Sequence, residues 1–315
     1  MRHTRFVFSH KHLATVVVIL CVFPSAVVAQ AVPAQKSPEP LGKLVDVGGY
    51  RVHLYCTGEG SPAVVIVGAG YSFDWGLVQP EMARITQVCT YDHSGIGWSD
   101  SGPKDSCDLR VGEVHTALRK VGINGPYVLV GHSLGGLVAR LYAGQYPDEV
   151  AGMVFVDHAF IRFQGPTPLL APPSATPGTS APAWGGIESD PNFSKLSARD
   201  RELHSWATAQ PRSQAAMQTN MEIIPKCSSE ADALRKEHPQ LLGDKPLVNV
   251  CTDEIHENAD YVRLQADLLR LSKNSKEIVA QNSTHFVIID RPDVVVDAIK
   301  QAVQSVRTHT PLSPM

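Results

Sequence analysis

A serine framed by glycines, a histidine close to the C-terminus and a carboxylate at the end of an apolar run together have the chemistry of acyl transfer. The serine is Ser133, in Gly131-His132-Ser133-Leu134-Gly135, a G-x-S-x-G string. So loose a string arises by chance in about one chain of this size in ten, so its setting must carry it. That setting is a junction between the buried-strand pattern PYVLVGHS (126–133) and the helical pattern LGGLVARLYAGQYP (134–147), with Leu134, Val138, Leu141 and Tyr142 on one face. A sharp strand-to-helix turn needs strained backbone angles and close approach of neighbouring chain, which Gly131 and Gly135 permit because they have no Cβ. The turn would present the hydroxyl above the sheet. It would also bring the Leu134 amide and the positive end of the helix dipole to a forming oxyanion. A serine hydroxyl is a poor nucleophile at neutral pH, so a base must take its proton and return it to the leaving group. His285 is best placed, just past the last strand-like run and just before the final helix.

The elements that must position these groups alternate. Strand-like stretches are YRVHLYCT (50–57), PAVVIVGAG (62–70), ITQVCTYDH (85–93), GMVFVDHA (152–159), KPLVNVCT (245–252) and KEIVAQ (276–281). Helical patterns fall at 109–122, 134–147, 259–272 and from about Pro292 to Val306. Continuous apolar runs such as AVVIV imply strands buried on both faces of a largely parallel sheet, with helices as crossovers. The alternation is lost between residues 160 and 243, where a Pro-, Ser- and Ala-rich stretch is followed by polar, helix-like sequence. One insertion between two strands of the same sheet, acting as a helical cap over the serine, is expected there. The resulting division is a leader (1–31), a lead-in (32–43), a core (44–159 and 244–307), the cap (160–243) and a tail (308–315).

From about residue 44 to 306 the chain resembles the α/β-hydrolase superfamily. GHSLGG, YDHSGIGWSD (91–100) and NSTHFVIIDRPDVVVDAI (282–299) occur in the order that superfamily uses. The resemblance implies a mostly parallel central sheet with helices on both faces, and a catalytic histidine in the loop that holds His285. It also implies that His132 packs under the turn. For the acid, many members use the loop after the strand matching KPLVNVCT, which offers Asp253 and Glu254. A subset that includes the haloalkane dehalogenases uses the end of the strand matching GMVFVDHA, which offers Asp157. Asp253 falls early for the usual spacing among charged neighbours, whereas Asp157 ends an apolar strand, where a carboxylate needs a partner. Asp157 is therefore preferred. The second oxyanion donor should come from residues 68–72, where the superfamily's His-Gly pair is replaced by Gly68-Ala69 or Ala69-Gly70; the amide of Tyr71 or a neighbour is expected. The sheet order of the superfamily sets the strand of Cys56 beside that of Cys89, which implies a cross-strand disulfide.

With Ser rather than Asp at the turn, the dehalogenase and epoxide-hydrolase routes lack their carboxylate nucleophile, and cleavage of a small carboxylic ester through an acyl-enzyme is the expected activity. Other acyl transfers and carbon–carbon bond hydrolysis use the same parts. The rival of a different class is a non-catalytic binding protein on this fold. No cofactor or metal is implied: there is no G-x-G-x-x-G at a strand–helix junction, no H-E-x-x-H and no C-x-x-C pair.

Arg2, Arg5 and Lys11, the apolar run Leu13–Phe23 and small residues to Ala31 read as an export signal, the run being about half of what a membrane span needs. A periplasmic or secreted protein with no stable membrane span after cleavage is expected, the alternative being an uncleaved N-terminal anchor. The formal charge is −3, and losing three positive charges with the leader leaves −6, which disfavours nucleic acid and anionic membranes as partners. Of six cysteines, Cys21 falls in the leader, and the remaining five make disulfides possible with one thiol left over.

Overall fold

The computed structural model of the chain describes residues 37–158, 186–253 and 259–313. The expected leader and most of the lead-in lie outside these residues, as does Glu254. The chain divides into two units, Met1–Ser37 and Pro38–Met315, and the second carries the fold.

The apolar runs are strands because both of their faces are covered. In β3 (Val64–Val67), Val65 and Val67 join one core while Val64 and Ile66 join the other. The same alternation places Tyr127 and Leu129 of β5 (Tyr127–His132), and Met153 and Phe155 of β6 (Val150–Val156), opposite their chain neighbours. Successive side chains of a strand point to opposite faces, so a run without polar residues can only be a central strand. With β1 (Lys43–Asp46), β2 (Arg51–Thr57), β4 (Val88–Asp92), β7 (Leu247–Thr252) and β8 (Ser275–Ala280) they form one eight-stranded sheet in the order β1-β2-β4-β3-β5-β6-β7-β8. The pairings β1/β2 and β2/β4 are antiparallel and the rest parallel.

One core is closed by α2 (Cys107–Lys120) and α3 (Leu134–Gln145), the other by α1 (Gln79–Ala83) and α8 (Pro292–Thr308). Helix α2 starts two residues earlier than its apolar spacing suggests, because Ser106 caps it with Oγ 3.1 Å from the Leu109 amide. Strand β1 gives no sequence signal at four residues, and α7 (Val287–Asp290), a single turn, precedes α8. Helix α6 (Ala259–Leu269) joins β7 to β8.

Between β6 and β7 the described residues form two 3₁₀ turns, Ile187–Ser189 and Pro191–Lys195, then α4 (Ala198–Thr208) and α5 (Pro211–Glu237). The C-terminal half of α5 packs on α3, where Arg140 donates to the Ala231 carbonyl. Its N-terminal half reaches the loops that follow β3 and β4: Arg212 donates to the Gly97 carbonyl at 2.6 Å and Asn220 to the Ala69 carbonyl at 2.9 Å. Helix α4 adds Leu203, Trp206 and Ala207 to a third core shared with Tyr71, Phe73, Ile96 and Trp98 of those loops. Among the described residues two disulfides are present. Cys56 and Cys89 are register partners across β2 and β4, so their Cα atoms stand 4.0 Å apart. Cys107–Cys227, for which the sequence offered no argument, ties α2 to α5. Among the described residues no helix is long and apolar enough to cross a membrane.

Candidate active site

Ser133 is the last residue before α3 and sits at φ 53°, ψ −127°, a left-handed conformation that costs a non-glycine residue energy. Its neighbours show why the strain persists. A Cβ on Gly135 would fall 1.8 Å from the Val67 carbonyl oxygen, and one on Gly131 would fall 2.5 Å from the Gly136 Cα. The start of α3 is thus pressed against β5 and against the end of β3, and only glycine fits at either position. The turn therefore brings Ser133 and the loop beginning at Gly68 together.

His285 lies after β8, in a loop built around Asp290. The Asp290 carboxylate accepts from the Thr284 amide at 2.6 Å, the Thr284 hydroxyl at 2.8 Å and Asn192 at 2.8 Å. Burial pushes the Asp290 carboxyl up, yet these donors together hold it below the usual range, as they stabilise the charged form. His132 pins the same loop to the serine turn: its Nε2–H donates to the His285 carbonyl at 2.9 Å, and the two rings lie 4.9 Å apart. Burial, and then the facing His285, push His132 down to about 4, so it is a neutral donor near pH 7. His132 is one residue from Ser133, so the backbone of His285 is tethered next to that serine.

Asp157, just past β6, also has a left-handed φ, 38°, and its amide donates to the Val250 carbonyl at 2.8 Å. Its Oδ2 stands 2.5 Å from His285 Nδ1. Asp253 does not approach His285; its Oδ2 accepts the Asn282 amide at 3.2 Å, capping the turn that follows β8. The structure therefore brings Asp157 and His285 together and leaves Asp253 in a turn-forming role.

The expected oxyanion donor Tyr71 needs correction. Its amide donates to Asp74 Oδ2 at 3.0 Å, because the 3₁₀ turn Ser72–Trp75 folds the Asp74 side chain back over its own start. A donor occupied by a buried carboxylate is not open to a substrate. Among the described residues no backbone carbonyl takes the amides of Ala69 or Gly70. Leu134 opens α3, so its amide belongs to the unpaired first turn.

Several supports were missed by the sequence. Buried His53 accepts the Gly42 amide at Nε2, so Nδ1–H faces Asp92 at 2.9 Å, and the other Asp92 oxygen accepts the Ser72 amide at 2.7 Å. Asp92 lies within YDHSGIGWSD, but its partners are 20 and 39 residues away. His204 of α4 bridges Asp74 Oδ1 at 2.8 Å and Glu188 Oε2 at 3.1 Å. Burial alone would push its imidazole down, but the two carboxylates carry it up to about 9. Among the described residues no group of His, Cys, Asp and Glu could hold a metal ion.

Residues 63–298 match the model of the alpha/beta hydrolase family. An uncharacterised protein of Schizosaccharomyces pombe is 39% identical over 94 residues, which is 30% of this chain but only 17% of that protein's length. The 2-hydroxymuconate semialdehyde hydrolase of Pseudomonas sp. strain CF600 is 31% identical over 196 residues, 58% of this chain and 63% of that one. The chain thus spans less than two thirds of either relative. The crystal structure of epoxide hydrolase VrEH1 from Vigna radiata superposes with a TM-score of 0.63 at 16% identity, covering 84% of this chain and 97% of that one, a likeness of fold.

Proposed function

Since the chain belongs to the alpha/beta hydrolase family, we propose that it is an exported serine hydrolase that cleaves a small carboxylic ester, with Ser133 as nucleophile, His285 as base and Asp157 as the acid that orients it. The observation that carries this is the tether between His132 and His285 beside a serine held in a strained turn. Asp157 on Nδ1 selects the tautomer whose Nε2 can accept the serine proton. Ser133 Oγ then attacks the ester carbonyl, and the oxyanion is met by the amides of Leu134 and Gly70. His285 passes its proton to the leaving alkoxide, and an acyl-serine remains. A water, deprotonated by the same imidazole, releases the acid and restores the serine. Esters need the least leaving-group activation among the substrates these parts can serve. The two disulfides fit an oxidising compartment, as the leader-like N-terminus does.

A second reading, hydrolysis of a carbon–carbon bond next to a ketone, draws on the semialdehyde hydrolase named above and uses the same residues. Purified protein treated with a fluorophosphonate should be modified at Ser133, and Ser133→Ala should stay folded while losing label and turnover. On a panel of p-nitrophenyl esters and a vinylogous diketone, turnover of the esters alone supports the ester reading. Turnover of the diketone alone replaces it with the second. Ester cleavage by Ser133→Ala within about tenfold of wild type would refute both, since losing such a nucleophile costs many orders of magnitude.

A further inference from the structure

The peptide that carries the Gly70 amide is held from α5 by the side chain of Asn220. Asn220 is buried, 7% exposed, and uses both ends of its amide. Its Nδ2 donates to the Ala69 carbonyl at 2.9 Å and its Oδ1 accepts Arg110 Nη2 at 2.5 Å. Arg110, on α2, is 1% exposed and fixed by a two-pronged contact with Asp105, Nε to Oδ1 at 2.9 Å and Nη2 to Oδ2 at 2.5 Å. The same two helices are joined covalently by Cys107–Cys227. Cys107 precedes Arg110 by three residues, and Cys227 follows Asn220 by seven, so each pair shares one face of its helix. Two links, about one turn apart on α2 and about two turns apart on α5, therefore set where Asn220 stands relative to the core.

The peptide between Ala69 and Gly70 is trans, as it is not among the cis bonds of the chain. In a trans peptide the carbonyl and the following N–H point in opposite directions. Drawing the Ala69 oxygen toward α5 therefore turns the Gly70 N–H away from α5. The loop is pressed on the serine turn at that point, where Val67 and Gly68 crowd Gly135. We propose that Asn220 is a positioning residue for the oxyanion hole: it aims the Gly70 amide at Ser133 by holding the carbonyl on the other side of the same peptide. This rests on Ser133 being the nucleophile. It assigns to α5 a part in the chemical step besides any part in substrate choice.

Asn220→Asp separates positioning from packing. The carboxylate keeps the shape and strengthens the contact to Arg110, but it has no N–H for the Ala69 carbonyl and repels it. Asn220→Ala removes both contacts. The probe is a fluorophosphonate, whose adduct with Ser133 develops negative oxygen where the oxyanion forms, with p-nitrophenyl acetate turnover read in parallel. For Asn220→Asp the maximal labelling rate and kcat should fall by about 10- to 100-fold, less than the loss of a whole donor. The half-saturating concentrations should stay within about threefold and the melting temperature should not fall. Asn220→Ala should show the same rate loss with some loss of stability. A maximal rate within about threefold of wild type for Asn220→Asp, or a change confined to half-saturation, overturns the role of Asn220 and leaves Ser133 as nucleophile. A wild type that takes no label at Ser133 overturns both.

Discussion

Replacing His204 by Asn should flatten the dependence of stability on pH above neutrality. His204 is 4% exposed and lies between Asp74 and Glu188, with the rings of Tyr71 (5.3 Å), Phe73 (6.4 Å) and Phe193 (5.1 Å) around it. Burial works against the imidazolium, but the carboxylates raise it from 6.5 to about 9. The folded value is above the unfolded one. The contribution is therefore fully present below about pH 6.5 and is lost as the pH rises through about 9. Full linkage for that shift amounts to about 3 kcal/mol. Glu188 is half exposed, at 50%, so its share is screened. About 2 kcal/mol should disappear between about pH 7 and pH 10, with roughly half gone by pH 8. The asparagine amide can take the place of Nδ1–H against Asp74 but does not titrate. Urea unfolding at several pH values in that window, for wild type and variant, measures the difference directly. The wild-type curve should fall toward that of His204→Asn as the pH rises. Parallel curves would show that His204 is not charged between these carboxylates and would refute the linkage.

Asp157→Asn should lower kcat by about 10³- to 10⁴-fold by favouring the wrong tautomer of His285, and since Asn tolerates a left-handed φ the backbone should not move. Asp253→Asn should stay within a few-fold, and pNP-ester kinetics on the pair decide between them; equal losses would sink the assignment of the acid. The two disulfides close loops of 33 and 120 residues, so in the chain-entropy account their removal costs about 3.7 and about 4.9 kcal/mol respectively. Denaturant unfolding of Cys56→Ser/Cys89→Ser and Cys107→Ser/Cys227→Ser should show that order, and a smaller loss for the Cys107–Cys227 pair would contradict it.

Much of the fold was legible in the sequence because both of its signals are local. Continuous apolar runs mark β3, β5 and β6, and the change of period at Ser133 marks the turn, since strand and helix differ in how often a side chain returns to one face. The glycines at 131 and 135 could likewise be read as a demand for close approach. The pairing Cys56–Cys89 followed once the sheet order was taken from the resemblance. What the sequence left open are relations between segments far apart in the chain. The choice between Asp157 and Asp253 depends on which strand end faces the loop after β8, and there the distance of 2.5 Å from Asp157 to His285 is a property of the folded sheet. The Tyr71 amide looked available because nothing in YSFDW announces that Asp74 folds back to take it. Cys107–Cys227, His204 on Asp74 and Asn220 on Ala69 each join the inserted helices to the core across 120, 130 and 151 residues. No periodicity spans such intervals. Local chemistry and steric demand are written in neighbouring residues, whereas a hydrogen bond between a helix and a loop exists only after packing has set their distance, and so Ser133 and its turn belonged to the sequence while the partners that hold His285 and the loop after β3 in place belonged to the tertiary structure.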